Sequence, residues 1–129
     1  MSKPRAVIVD DERFNRLFIG GLLGQLGFDV VGEGARGDEA VTLYRQHQPD
    51  LLLLDINMPG EDGFEALGRL KAAFPEARVV MLTNVADRQA VQECARRGAL
   101  GYILKSNRPE DTRAMLKKYL PDNKDRPTP

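Results

Sequence analysis

Short apolar runs separated by amphipathic stretches constrain this chain more than any other feature. The runs are Ala6 to Val9, Val30 to Val31, Leu51 to Leu54, Val79 to Leu82 and Tyr102 to Leu104. Each is about a strand long, and several are apolar throughout rather than alternating. That is the pattern of strands covered on both faces in a parallel sheet. The intervening stretches have helical spacing. Phe14, Leu17, Phe18, Leu22 and Leu26 are expected on one face of a first helix. Gly20, Gly21 and Gly24 weaken that helix by up to ~1 kcal/mol each relative to Ala, so packing must hold it. Asp38 stands where the N-cap of a second helix belongs, ahead of Ala40, Val41 and Tyr44. Phe64, Leu67, Leu70 and Phe74 form a third stripe, closed by Pro75. Ala90, Val91, Cys94 and Ala95 form a fourth, ended by Gly98. Pro109 suits the first turn of a fifth helix carrying Met115, Leu116 and Tyr119, and Pro121 stops it.

Strict alternation of five strands with five helices implies right-handed crossovers and a doubly wound parallel α/β sheet. A chain of 129 residues fits one such domain, expected over residues 1–120. The polar, Pro-rich segment 121–129 reads as a flexible tail or linker stub. Lys and Arg total 19 against 19 Asp and Glu, so the basic excess of a nucleic-acid surface is missing and no direct nucleic-acid binding is expected. A lone cysteine, Cys94, excludes an internal disulfide and a Cys-based zinc site. The opening MSKPRAVIVDDE is not that of a signal peptide, and no apolar run approaches the ~20 residues of a membrane helix. A cytoplasmic location and no membrane partner are expected.

In a doubly wound sheet, ligands sit beyond the carboxyl ends of the strands. The first strand there ends in Asp10, Asp11 and Glu12, the third in Asp55, the fourth in Thr83 and the fifth in Lys105. Any one of these reads as a turn former, a helix cap or half of a salt bridge. Together they converge. Carboxylates sharing one cleft repel one another and raise their own pKa values, and a bound cation removes that cost. All-oxygen ligands at high charge density select a hard ion, which points to Mg²⁺. With a divalent ion, an ammonium and a hydroxyl in one pocket, the chemistry is that of a phosphoryl site. An aspartate carboxylate is a competent nucleophile there and gives an acyl phosphate.

The segments VIVDDE, DLLLLDINMPGEDGFE, VVMLTN and GALGYILKS resemble the receiver domain of two-component response regulators, the CheY-like version of the flavodoxin-like fold. The resemblance covers roughly residues 4 to 120, with the key positions in register. It implies a (βα)5 unit with strand order 2-1-3-4-5. It implies Asp55 as the phosphoacceptor, Asp11 as a direct Mg²⁺ ligand, Asp10 as a ligand acting mainly through water, and the Asn57 backbone carbonyl completing the metal site. Thr83 and Lys105 correspond to the hydroxyl and ammonium that sense the phosphoryl group. Tyr102 corresponds to the aromatic that turns inward when Thr83 moves. MPGEDG, with Pro59, supplies the turn after the phosphoacceptor.

The chain departs from the family pattern twice. Ser106 follows the lysine where proline is usual, and Asn84 follows the threonine where a very small residue is usual. Implied partners are a sensor histidine kinase or phosphotransfer protein and a downstream protein target, with a phosphorylation-dependent dimer as a further expectation. The role implied is that of a signalling domain without turnover of an external substrate. It would act alone, as the receiver half of a larger regulator, or as a phosphate sink in a relay. A metal-dependent phosphohydrolase with an aspartate nucleophile is the rival from another class. Those enzymes resemble a DxDx[TV] pattern after the first strand, where this chain has DDER.

Overall fold

A computed structural model describes residues 3–58, 62–84 and 87–121. The five expected strands form one parallel sheet in the order β2-β1-β3-β4-β5. They are β1 (Arg5–Val9), β2 (Asp29–Gly34), β3 (Leu51–Asp55), β4 (Val79–Thr83) and β5 (Gly101–Leu104). The helices alternate with them: α1 (Arg13–Gln25), α2 (Glu39–His47), α3 (Gly63–Ala73), α4 (Arg88–Arg96) and α5 (Pro109–Lys117). The Pro59–Glu61 part of the expected MPGEDG turn and most of the expected tail lie outside the described residues.

Successive side chains of a strand point to opposite faces, and the three central strands divide their residues accordingly. Ala6, Ile8, Leu51, Leu53, Val80 and Leu82 face Ile19, Leu22 and Leu23 of α1 and Leu116 of α5. Val7, Val9, Leu52, Leu54, Val79 and Met81 face a second cluster that includes Tyr44 of α2, Leu67 and Leu70 of α3 and Cys94 of α4. Every residue of β3 and β4 is buried, whereas the edge strands β2 and β5 are mostly half-buried. This division is why β1, β3 and β4 read as unbroken apolar runs while β2 shows only Val30 and Val31. The register between β1 and β2 also slips after Ala6, so that Val7 pairs with Gly32.

Two local expectations change. Phe14 and Leu17 do not join the buried stripe of α1; they are 76% and 63% exposed. At 3.6 residues per turn Leu17 points nearly opposite to the Ile19–Leu23 face, and Phe14 lies well to one side of it. Phe14 instead stacks on Phe18, with ring centroids 6.5 Å apart. Asp38 occupies the N-cap position of α2 but its side chain makes no capping hydrogen bond. Glu39 Oε1 accepts from the backbone N–H groups of Ala35 and Arg36, both at 3.0 Å, and closes that turn instead. Capping carboxylates do occur at Asp62, which accepts from the Glu65 N–H at 2.9 Å, and at Asp87, which accepts from the Ala90 N–H at 2.7 Å. Gly98, with φ of 92°, follows the end of α4 as expected. Pro109 opens α5, which ends at Lys117, so Tyr119 lies just past the helix.

One glycine ties the helical layer to the site. A Cβ on Gly63 would collide with the Asp55 carbonyl oxygen and the Ile56 Cα. Its N–H meanwhile donates to the Ile56 carbonyl at 2.7 Å. The start of α3 therefore rests directly on the backbone that carries Asp55. Gly63→Ala is expected to destabilise the fold by on the order of 2 kcal/mol, because backbone rather than a pliable side chain must yield. Urea denaturation of the two proteins checks this.

Candidate functional site

Asp10, Asp55, Thr83 and Lys105 all stand at the carboxyl ends of strands, and the β2-β1-β3 order makes the β1/β3 boundary the point where the winding reverses. Ladder register aligns these ends. Val9 pairs with Leu54, Asp55 with Leu82, and Thr83 with Leu104, so each polar residue closes its strand at the same edge. The Asp10 N–H is fixed by the Gly34 carbonyl at 2.9 Å, and the Lys105 N–H by the Thr83 carbonyl at 2.8 Å.

The site is charged yet its inner residues are buried. Asp10 is 0%, Asp55 1% and Thr83 3% exposed. Lys105 reaches across the sheet edge and brings its ammonium to 2.9 Å from Asp55 Oδ2, 3.0 Å from Asp10 Oδ2 and 3.2 Å from Glu12 Oε1. Asp10 Oδ1 accepts from the Glu12 N–H at 2.8 Å, and Asp55 Oδ1 accepts from the Asn57 N–H at 3.1 Å. The two Oδ2 atoms are buried and meet Lys105 as ion pairs without hydrogen-bond alignment.

Burial raises the Asp55 carboxyl to about 7, opposed by the adjacent Lys105 ammonium and aided by the charge of Asp10. Burial works against the Lys105 charge as well, but Asp55 and Asp10 outweigh it and hold the ammonium above its ordinary value. Such a pocket stores electrostatic cost that a cation or a bound anion with its counter-ion can relieve.

The donor set fits a hard divalent ion. Asp10, Asp11 and Asp55 each offer a carboxylate oxygen, and these atoms lie within 4.8 Å of one another. Oxygens buried without an aligned donor are what a cation would satisfy, and three carboxylates match the oxygen preference of Mg²⁺. Asp11 is exposed and forms the open side of the cluster. The structure thus brings together Asp10, Asp11, Asp55, Thr83 and Lys105. It places Asn57 at the surface beside Asp55 and Tyr102 half-buried on β5 against the α2–α4 side of the core. Ser106 and Asn84 are both exposed.

Two residues escaped the sequence reading. Glu12 appeared there only as the third acid after β1, yet its side chain meets Lys105, 93 residues away in the chain. Arg16 donates to the Asp10 carbonyl at 2.6 Å and pairs with Glu33 at 3.1 Å, tying α1 to the ends of β1 and β2. Nothing in the order of residues announces either long-range contact.

Known proteins are similar to this chain in sequence and fold. The family model described as response regulator receiver domain matches residues 6–117. The chemotaxis protein CheY of Bacillus subtilis is 39% identical over 101 residues, which are 78% of this chain and 84% of that protein. The transcriptional regulatory protein PdtaR of Mycobacterium tuberculosis is 36% identical over 101 residues, 78% of this chain but 49% of that protein. Among solved structures, the CheX–CheY complex with BeF3 and magnesium from Borrelia burgdorferi contains a chain that superposes with a TM-score of 0.81 at 31% identity, covering 87% of each chain. A LuxR-family two-component response regulator from Aurantimonas superposes with a TM-score of 0.84 at 30% identity, covering 91% of this chain and 84% of that one. With a family match over most of the sequence, the 2-1-3-4-5 sheet and an acidic, lysine-bearing pocket at its carboxyl edge, the chain belongs to the response regulator receiver domain family.

Proposed function

We propose that the domain accepts a phosphoryl group on Asp55 and uses the modification to change which protein it binds. The observation that carries this reading is the buried Asp55 carboxylate with the Lys105 ammonium 2.9 Å away, beside the Asp10–Asp11 cluster. In the reaction an Asp55 oxygen attacks phosphorus. A P–O bond forms, and the bond from phosphorus to the donor breaks, its electron pair leaving with the donor. The donor is the phospho-imidazole of a histidine kinase or phosphotransfer protein, or acetyl phosphate, which departs as acetate. Mg²⁺, held by Asp10, Asp11, Asp55 and the Asn57 carbonyl, would supply positive charge against the phosphoryl oxygens. Lys105 adds its own charge to them, and the strand ends hold nucleophile and ammonium in place without reorganisation.

Thr83 and Tyr102 carry the output in this reading. Thr83 ends β4 beside Asp55, and Tyr102 pairs with Met81 two residues earlier on β4. A phosphoryl oxygen bonded to the Thr83 hydroxyl draws it toward Asp55 and lets Tyr102 turn inward. Charge-assisted hydrogen bonds of ~1.5–3 kcal/mol suffice to bias two states a few kcal/mol apart. Thr83→Ala should therefore keep phosphoryl uptake but blunt the change in amide hydrogen exchange that beryllofluoride induces over α4, β5 and α5. An identical response in the two proteins would remove Thr83 from the switch.

The test of the function itself is incubation with acetyl phosphate and Mg²⁺. The intact protein should gain the mass of one phosphoryl group, labile to hydroxylamine. No gain at saturating donor would refute the reading. A second reading is favoured by PdtaR, of which the matching region is only half. In that reading the domain is the receiver portion of a longer regulator. The phosphoryl chemistry is the same in both. Action in the cytoplasm and a phosphorylation-dependent dimer belong to this proposal as well.

A further inference from the structure

We infer that Glu12 is a latch on Lys105: it holds the ammonium in the unphosphorylated protein and releases it when the phosphoryl group arrives. The inference rests on the phosphoacceptor reading of Asp55. An ammonium has three N–H donors, and Lys105 faces three carboxylate oxygens, those of Asp55, Asp10 and Glu12, at 2.9, 3.0 and 3.2 Å. The Glu12 contact is the one that also has hydrogen-bond geometry. A phosphoryl group on Asp55 adds oxygens that need the same donors, so one contact must be given up. Asp10 and Asp55 are 0% and 1% exposed, and even with a divalent cation among the carboxylates an added phosphoryl dianion leaves the buried negative charge in excess, so the ammonium stays inside. The Glu12 side chain is 55% exposed and rehydrates at little cost. Glu12 is therefore the partner that lets go.

Local structure lets Glu12 act this way. It precedes α1, but its side chain makes no capping hydrogen bond there. The backbone bond that orders the loop, from the Glu12 N–H to Asp10 Oδ1, does not involve its carboxylate. Asn15 Nδ2 donates to the same Glu12 Oε1 at 3.0 Å, which aims the carboxylate at Lys105. The latch thus competes with the incoming phosphoryl group and sets a threshold for its acceptance. It has no part in holding the phosphoryl group once that is in place.

The test compares wild type, Glu12→Gln and Glu12→Asp for phosphoryl gain from acetyl phosphate at saturating Mg²⁺, and for loss after donor removal. Glu12→Asp keeps the charge but is too short to reach Lys105. Both variants should take up the phosphoryl group about two- to fivefold faster, the factor equivalent to one half-exposed ion pair. The loss rate should stay as in wild type. The ¹⁵N ammonium resonance of Lys105 should also shift in both unphosphorylated variants. Faster gain in Glu12→Gln alone would make the effect one of local charge and overturn the latch. Gain and loss accelerated equally would mean a loosened pocket and overturn it too. Unchanged gain in both variants beside a wild type that labels refutes the latch alone. A wild type that never labels refutes the phosphoacceptor reading, and the latch with it.

Discussion

Asp55→Asn is expected to abolish covalent phosphorylation and, at the same time, to make the metal-free protein more stable. The first effect follows from chemistry: an amide is not a nucleophile toward phosphorus under conditions in which a carboxylate is. Side-chain shape is kept, so the loss cannot be assigned to a collapsed pocket. The second effect follows from burial. Asp55 is 1% exposed, and its carboxyl is raised from 3.8 to about 7, by burial first and by the Asp10 charge with it. The folded state therefore holds its proton more tightly than the unfolded chain between these values. Stability falls as pH rises through that window, and above about pH 7 the full cost of the buried charge is present. Removing the charge should stabilise the protein by on the order of 2 kcal/mol at pH 8, and the advantage should fade toward pH 4. Intact mass after acetyl phosphate treatment tests the first half. Urea melts of both proteins at several pH values, with chelator present, test the second. Equal labelling of both proteins would move the phosphoacceptor elsewhere.

The second large effect is the response to Mg²⁺. A ligand bound only by the folded state stabilises it by about 2.7 kcal/mol at a hundredfold excess over its Kd. The gain should be readily visible here, because the ion would sit among Asp10, Asp11 and Asp55, whose mutual repulsion it cancels. Asp11→Ala is the informative variant. Asp11 is the exposed member of the cluster, so its removal disturbs no packing, yet it should erase most of the Mg²⁺-dependent rise in melting temperature. A flat melting temperature across a wide Mg²⁺ titration of the wild type would count against the metal site.

The two effects are coupled through one physical fact: the fold buries more negative than positive charge at its carboxyl edge. The same fact explains why the site was readable so early. Asp10, Asp55, Thr83 and Lys105 each follow directly on an apolar strand, and parallel strands in a doubly wound sheet end at one edge. Their convergence therefore follows from the βα alternation, before any coordinate is known. Parallel strands covered on both faces also needed no partner to be recognised. Leu51–Leu54 and Val79–Leu82 are apolar because helices cover both sides of β3 and β4.

What the order of residues left open was decided by direction and by distance in the chain. Five apolar residues in α1 looked like one stripe, but only rotation about the packed helix axis turns Ile19, Leu22 and Leu23 inward and leaves Leu17 outside. Asp38 had the right identity for a cap, yet its backbone is already helical and the Ala40 N–H is taken by the Gly37 carbonyl, while the Glu39 carboxylate secures the preceding turn. The links of Lys105 to Glu12 and of Arg16 to Glu33 join segments whose proximity is a product of the assembled sheet. The sequence alone determined the alternation, the parallel sheet and which strand ends carry polar groups, because periodicity and strand-end position are local properties. The tertiary structure alone decided which carboxylate shares the ammonium and which helix face is buried, because both depend on how independently formed elements are turned against one another.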